Sequence, residues 1–220
     1  MTHLLLAVHG PPARPEVPSA RLGFMDGDRD RFIATVLENP VIRAVLDRAP
    51  ELDVPDWWLV AGALFQTVWN LIDGRDPSAG IRDYDLFYFN ADDLSWEAED
   101  EVIRRAEALF GDLDAVVEVR NEARVHLWYE DHYGVPAPPF TSSRNAVDHF
   151  ASTTCCYGIA RDRSGHIEVY APHGYADLFE RRVRPNPLLA TRDVYELKTD
   201  RWLNEWPGLI IEPWPDPVAT

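Results

Sequence analysis

The chain has 220 residues, of which 46% are hydrophobic, enough for a sizeable core and too many for a disordered polymer. Its 21 basic against 37 acidic side chains leave a formal charge of −16, so the average field repels phosphate backbones and anionic lipid, which argues against generic nucleic-acid coating. One lysine, Lys198, accompanies twenty arginines with no glycine run before it, which excludes a phosphate-binding P-loop.

From the N-terminus, residues 1–8 are apolar but too few to span a membrane, and no basic stretch precedes them. With only the adjacent Cys155 and Cys156, no disulfide framework is available, and the reading is a cytoplasmic protein without a membrane partner. Proline-rich sequence marks residues 1–24 as an arm, 25–210 as one folded domain and 211–220 as an extended tail. A helix is expected from Asp28, with Phe32, Ile33, Val36 and Leu37 on one face and an interruption at Pro40, followed by a second helix over 41–48. A buried strand at 57–61 leads into a helix over 63–72, and a polar loop over 73–82 feeds a strand at 83–89. After a helix over 96–109, strands at 115–119 and 123–129 are expected to form a hairpin. A loop over 132–139 precedes a helix at 143–150 capped by Ser142, then a strand pair at 153–160 and 167–171. Short and long helices at 175–181 and 193–206 complete an α+β (α/β-like) fold, a mixed sheet flanked by helices.

Asp83 and Asp85 carry the clearest chemistry. Strand residues i and i+2 point the same way, and two carboxylates side by side repel unless a divalent cation lies between them. Glu118, on a strand expected to adjoin, is the third candidate, enough for a pair of metal ions. Gly62-Ala63 sits at a strand-to-helix turn, where a glycine and the free N–H groups of a helix start suit a phosphate. Arg124, His126 and Trp128 alternate along the expected strand at 123–129, so Arg124 can reach a phosphate, while Gln66 and Asn70 lie one turn apart on the helix after Gly62. The cluster Arg181, Arg182 and Arg184 reads as complementing a helix end, and no cysteine or histidine spacing suits zinc.

These positions together resemble the DNA polymerase β-like nucleotidyltransferase superfamily, with its apolar-Gly motif, Asp-x-Asp strand and third strand acid. The closer similarity is to the bacterial nucleotidyltransferase-like family once called domain of unknown function 925. It rests on the runs from Ala61 to Asn70, Gly80 to Leu86, Asn121 to Tyr129 and Ala171 to Phe179, and on Arg184-Pro185-Asn186. The resemblance implies a nucleotidyltransferase fold and transfer of a nucleoside monophosphate from NTP to an unidentified hydroxyl or phosphate acceptor. Asp83, Asp85 and Glu118 would be catalytic and hold Mg²⁺ or Mn²⁺, with Gly62, Ala63, Gln66 and Arg124 at the nucleotide. Ala63 stands where the superfamily often carries a hydroxyl or glycine. A catalytically silent nucleotide or partner binder therefore stays open beside transfer, as does a Mn²⁺-dependent glycosyltransferase.

Overall fold

The computed structural model describes residues 27–216; the expected arm over 1–24 and the last residues of the tail lie outside them. Helices α1 (Asp28–Val36) and α2 (Pro40–Arg48) meet at Asn39, whose Oδ1 accepts the N–H groups of Val41 and Ile42 at 2.9 and 3.3 Å. Pro40 thus opens the second helix, where its missing N–H costs nothing. Strand β1 (Trp58–Val60) runs into α3 (Gly62–Ile72), and β2 (Tyr84–Tyr88) is followed by α4 (Trp96–Phe110), capped by Ser95, and β3 (Val117–Asn121).

The chain after β3 corrects one expectation. Residues 122–129 do not return as a hairpin strand: Glu122–Leu127 is a 3-10 helix leading into α5 (Tyr129–Tyr133). Asn121 ends the strand, its Oδ1 accepting the Ala123 and Asn90 N–H groups at 3.2 and 3.0 Å while its Nδ2 donates to the Asn90 carbonyl at 2.9 Å. A side chain that supplies its own turn partners favours a cap over a continued ladder. β3 instead pairs parallel with β2, with α4 as the crossover such a pairing requires. Then come α6 (Ser143–Val147), capped by Ser142 as expected, the antiparallel pair β4 (Gly158–Arg161) and β5 (Ile167–Tyr170), α7 (Ala176–Phe179), and α8 (Arg192–Glu205), capped by Thr191. The first half of the expected strand at 153–160 is a short 3-10 turn, Thr153–Cys155. Short strands β6 (Arg182–Val183) and β7 (Ile210–Ile211) pair parallel beside the domain.

The main sheet has the order β3-β2-β1-β4-β5, a mixed sheet flanked by helices. Alternation gives it two unlike faces. Leu59, Tyr84, Leu86, Tyr88, Val119 and Ile159 join one continuous core with side chains from α1, α2, α3, α4 and α8. The opposite face carries Trp58 and Val60 against Val147 and Cys156 at one end and leaves Asp85 and Glu118 at the other. The loop over 73–82 is pinned to the core: the Asn70 amide donates to the carbonyls of Pro77 and Ala79 at 3.2 and 2.7 Å and accepts Trp206 Nε1 at 2.8 Å. Asn70 is thereby a structural residue that sets the approach of the chain to Asp83. Arg181 pairs with Asp73 at 2.5 Å, and Arg184 with Asp177 and Glu212 at 2.6 and 2.8 Å, so the arginine cluster joins segments of the fold. No described helix is long and apolar enough to cross a membrane.

Candidate functional site

Asp85 and Glu118 are register partners in the parallel β2–β3 pair. Register partners leave a sheet on the same face, about 4.8 Å apart from strand to strand. Asp83 lies two residues before Asp85, just ahead of the strand. The acids border a cleft with two lobes. The smaller, about 250 Å³, is lined by Gly62, Gln66, Asp83, Cys155, Lys198 and Arg201; the larger, about 300 Å³, by Glu118, Glu122, Phe87, Trp128 and Tyr129. Asp85, Phe150, Ala151 and Lys198 line both. Asp83 therefore belongs to one lobe, Glu118 to the other, and Asp85 to the boundary.

The smaller lobe is built around the start of α3. Ala61, just before the helix, has φ 52° and ψ −119°, a conformation that L side chains rarely adopt, and is held there by its N–H donating to the Tyr157 carbonyl at 3.0 Å. The left-handed position is thus Ala61. Gly62 serves a different need: a Cβ there would lie 2.9 Å from Gln66 Nε2, so the missing side chain makes room for the Gln66 amide. The N–H groups of Gly62 and Ala63 make no hydrogen bond within the described residues, as at any open helix start. Ala63's methyl group is buried in the core, so this residue can offer a ligand only its backbone. Gln66 is 3% exposed, lines the lobe, and its Oε1 has no hydrogen-bond partner. Opposite stand Lys198 and Arg201, one turn apart on α8; Arg192 and Glu205 of that helix are paired with Glu196 and Arg75, whereas among the described residues neither Lys198 nor Arg201 has an ion-pair partner.

Burial and the nearby charges of Asp83 and Glu118 push the Asp85 carboxyl up to about 7, with Lys198 and Arg120 acting the other way. Burial, and then the charge of Asp85, pushes the Glu122 carboxyl well above the usual carboxylate range. Burial leads both shifts, and neighbouring carboxylate charge adds to it. Glu118 meets Arg120 at 3.3 Å, and among the described residues no three His, Cys, Asp or Glu side chains close on one point as a ready-made metal site. The expected three-acid site is accordingly shared around a cleft. Asp83 and Asp85 fit a divalent ion of the kind that takes one or two carboxylates and fills its remaining positions with phosphate oxygens and water.

Arg124 stands apart from both lobes. Its guanidinium is committed to the buried Glu99 carboxylate and to the Leu94 carbonyl, and Glu99 in turn accepts the Asn121 N–H at 2.8 Å. The phosphate role expected of Arg124 required the strand that the 3-10 helix replaces. Lys198, Arg201 and Glu122 escaped the sequence reading. The available signal for the first two was a lone lysine and an arginine at i, i+3; the acid one turn beyond Arg201, Glu205, is taken by Arg75 from another part of the chain.

A family model described as Nucleotidyltransferase matches residues 47–211, well over half of the chain. A solved structure, described as an NMR structure that reveals a CCA-adding enzyme head domain, superposes with a TM-score of 0.68 at 23% identity, covering 86% of this chain and 97% of its own. At that identity the likeness concerns the fold, a nucleotidyltransferase-type mixed sheet with flanking helices. No curated protein matches the sequence. The family match runs through both walls of the cleft and the sheet between them, and the chain belongs to this nucleotidyltransferase family.

Proposed function

We propose that the cleft transfers a nucleoside monophosphate from an NTP to an acceptor hydroxyl, with the triphosphate in the smaller lobe and the acceptor in the larger. The observation that carries this reading is the division of the acids: Asp83 faces one lobe, Glu118 the other, and Asp85 both. The free N–H groups of Gly62 and Ala63, the helix start behind them, and the unpaired Lys198 and Arg201 give the smaller lobe its affinity for phosphate. Gln66, with an unsatisfied oxygen, accepts a donor from the nucleotide sugar or base. Asp83 and Asp85 hold a divalent cation, Mg²⁺ or Mn²⁺, which supplies charge neutralisation on the phosphates. In the transfer the acceptor oxygen bonds to the α-phosphorus as the bond to the β-bridging oxygen breaks. Pyrophosphate leaves with that electron pair, and Glu118, on the acceptor side, takes the hydroxyl proton. Buried free thiols at Cys155 and Cys156 suit a reducing cytoplasm as the place of work.

The test is nucleotide binding by calorimetry and thermal shift with Mg²⁺, beside pyrophosphate release in the presence of cell extract. At a hundredfold excess over Kd, NTP should stabilise the fold by about 2.7 kcal/mol. The D83N/D85N double variant should fold and lose most of that shift. Glu118→Gln should keep NTP affinity within a few fold and lower turnover about 10²-fold or more. Nucleotide binding without pyrophosphate release under any metal or extract would favour the silent binder, and an undiminished thermal shift in the double variant would move the nucleotide out of this cleft.

A further inference from the structure

The larger lobe contains a group that this transfer chemistry does not use. Glu122, the first residue after β3, is 4% exposed, borders the lobe, and receives no hydrogen bond from the described residues. A buried carboxyl without a donor costs more than an amide or hydrocarbon of the same shape, so its retention calls for a donor from outside the chain.

The surroundings narrow what that donor can be. Asp85 and Glu118 add negative charge to the same lobe, while Arg120 is already engaged with Glu118 at 3.3 Å and the Val119 carbonyl at 2.9 Å. Lys198 stands at the boundary with the phosphate lobe. A phosphorylated acceptor would meet three carboxyl groups. The outer wall is aromatic, with the Trp128 and Tyr129 ring centroids 6.0 Å apart and those of Tyr129 and Tyr133 at 4.5 Å. Acids and aromatic rings lining one lobe select an organic ammonium, whose positive charge favours the ionised form of the Glu122 carboxyl, over its neutral or anionic analogues. A volume of about 300 Å³ admits one or two small rings.

We infer that the larger lobe receives a small ring alcohol bearing a protonated amine, its ammonium on Glu122 and its reacting hydroxyl toward Asp85 and Glu118. The acceptor role of this ligand rests on the transfer reading above; its binding does not. Binding is therefore measured on the full chain without NTP, by calorimetry and ligand-observed NMR, using matched probes: cyclohexylamine against cyclohexanol, and glucosamine against glucose. Glucose 6-phosphate and guanosine serve as the anionic and nucleobase comparisons. Each amine should bind at least tenfold more tightly than its neutral partner. Glu122→Gln, which keeps the shape and removes a costly buried acid, should fold and bring the amines down to the level of the alcohols. Equal binding of amine and alcohol, no binding of either amine, amine affinity unchanged in Glu122→Gln, or tighter binding of glucose 6-phosphate or guanosine would each overturn the inference. Loss of the NTP-dependent thermal shift in D83N/D85N is scored separately, so failure of the transfer reading and failure of this one are told apart.

Discussion

Strand β2 sends Tyr84, Leu86 and Tyr88 into the core and turns Asp85 and Phe87 toward the cleft, so adjacent residues serve opposite ends. On the core face every side chain meets hydrocarbon from the helices, and burial is favourable. On the cleft face burial, and after it the charge of neighbouring carboxylates, pushes the Asp85 and Glu122 carboxyls up, which works against the folded state at neutral pH. The contrast teaches where this fold gains its stability and where it relinquishes some of it for binding.

The largest effect should come from the core face. Leu86→Ala removes a fully buried side chain and should lower unfolding free energy by about 2–5 kcal/mol, whereas Phe87→Ala, half-buried on the cleft face, should lower it by less than half as much; urea denaturation of both variants checks the pair. Asp85→Asn should act in the other direction. Because the folded carboxyl titrates near 7 rather than 3.8, the unfolded chain releases its proton first, and this group's contribution to stability falls as pH rises from about 4 to about 7. The variant should therefore melt higher than wild type at pH 7.5, match it near pH 3.5, and show a flatter pH profile between. Equal melting points at pH 7.5 would mean that the acids are not in conflict.

Smaller effects sharpen the same contrast at the helix start. Gly62→Ala would place a Cβ 2.9 Å from Gln66 Nε2, so the amide must swing away; NTP affinity should fall about tenfold, roughly 1.4 kcal/mol, with little change in unfolding midpoint. Ala61→Gly should move stability by less than about 1 kcal/mol, because relief of the positive φ is offset by the greater freedom of glycine in the unfolded chain.

Much of the fold was legible because its signals are local. The alternation of Tyr84, Leu86 and Tyr88 with Asp85 and Phe87, the apolar stripes of the helices, and the cap at Ser142 all lie within a few residues of what they predict. The stretch from Glu122 to Tyr129 failed for the same reason: polar and apolar residues alternate there as in a strand, and the deciding partners, Asn90 and Glu99, lie some thirty and twenty residues upstream. Of the candidate site, Asp83, Asp85 and Glu118 could be proposed from strand spacing, but their division between two lobes could not. Lys198 and Arg201 reach the cleft from the last long helix, and Glu122 is turned inward by a cap that no periodicity announces.

The lone lysine gives the cleft a chemical address. Lys198 is the single ε-amine in the sequence, exposed on α8 and standing where the two lobes meet. An amine-selective acylating reagent can thus modify this chain at two kinds of nitrogen, the α-amino terminus and the one beside the acids. Mass spectrometry of the peptide that contains Lys198 then reads occupancy of the cleft as slower labelling at that residue, without a radioactive nucleotide, a known acceptor or any turnover.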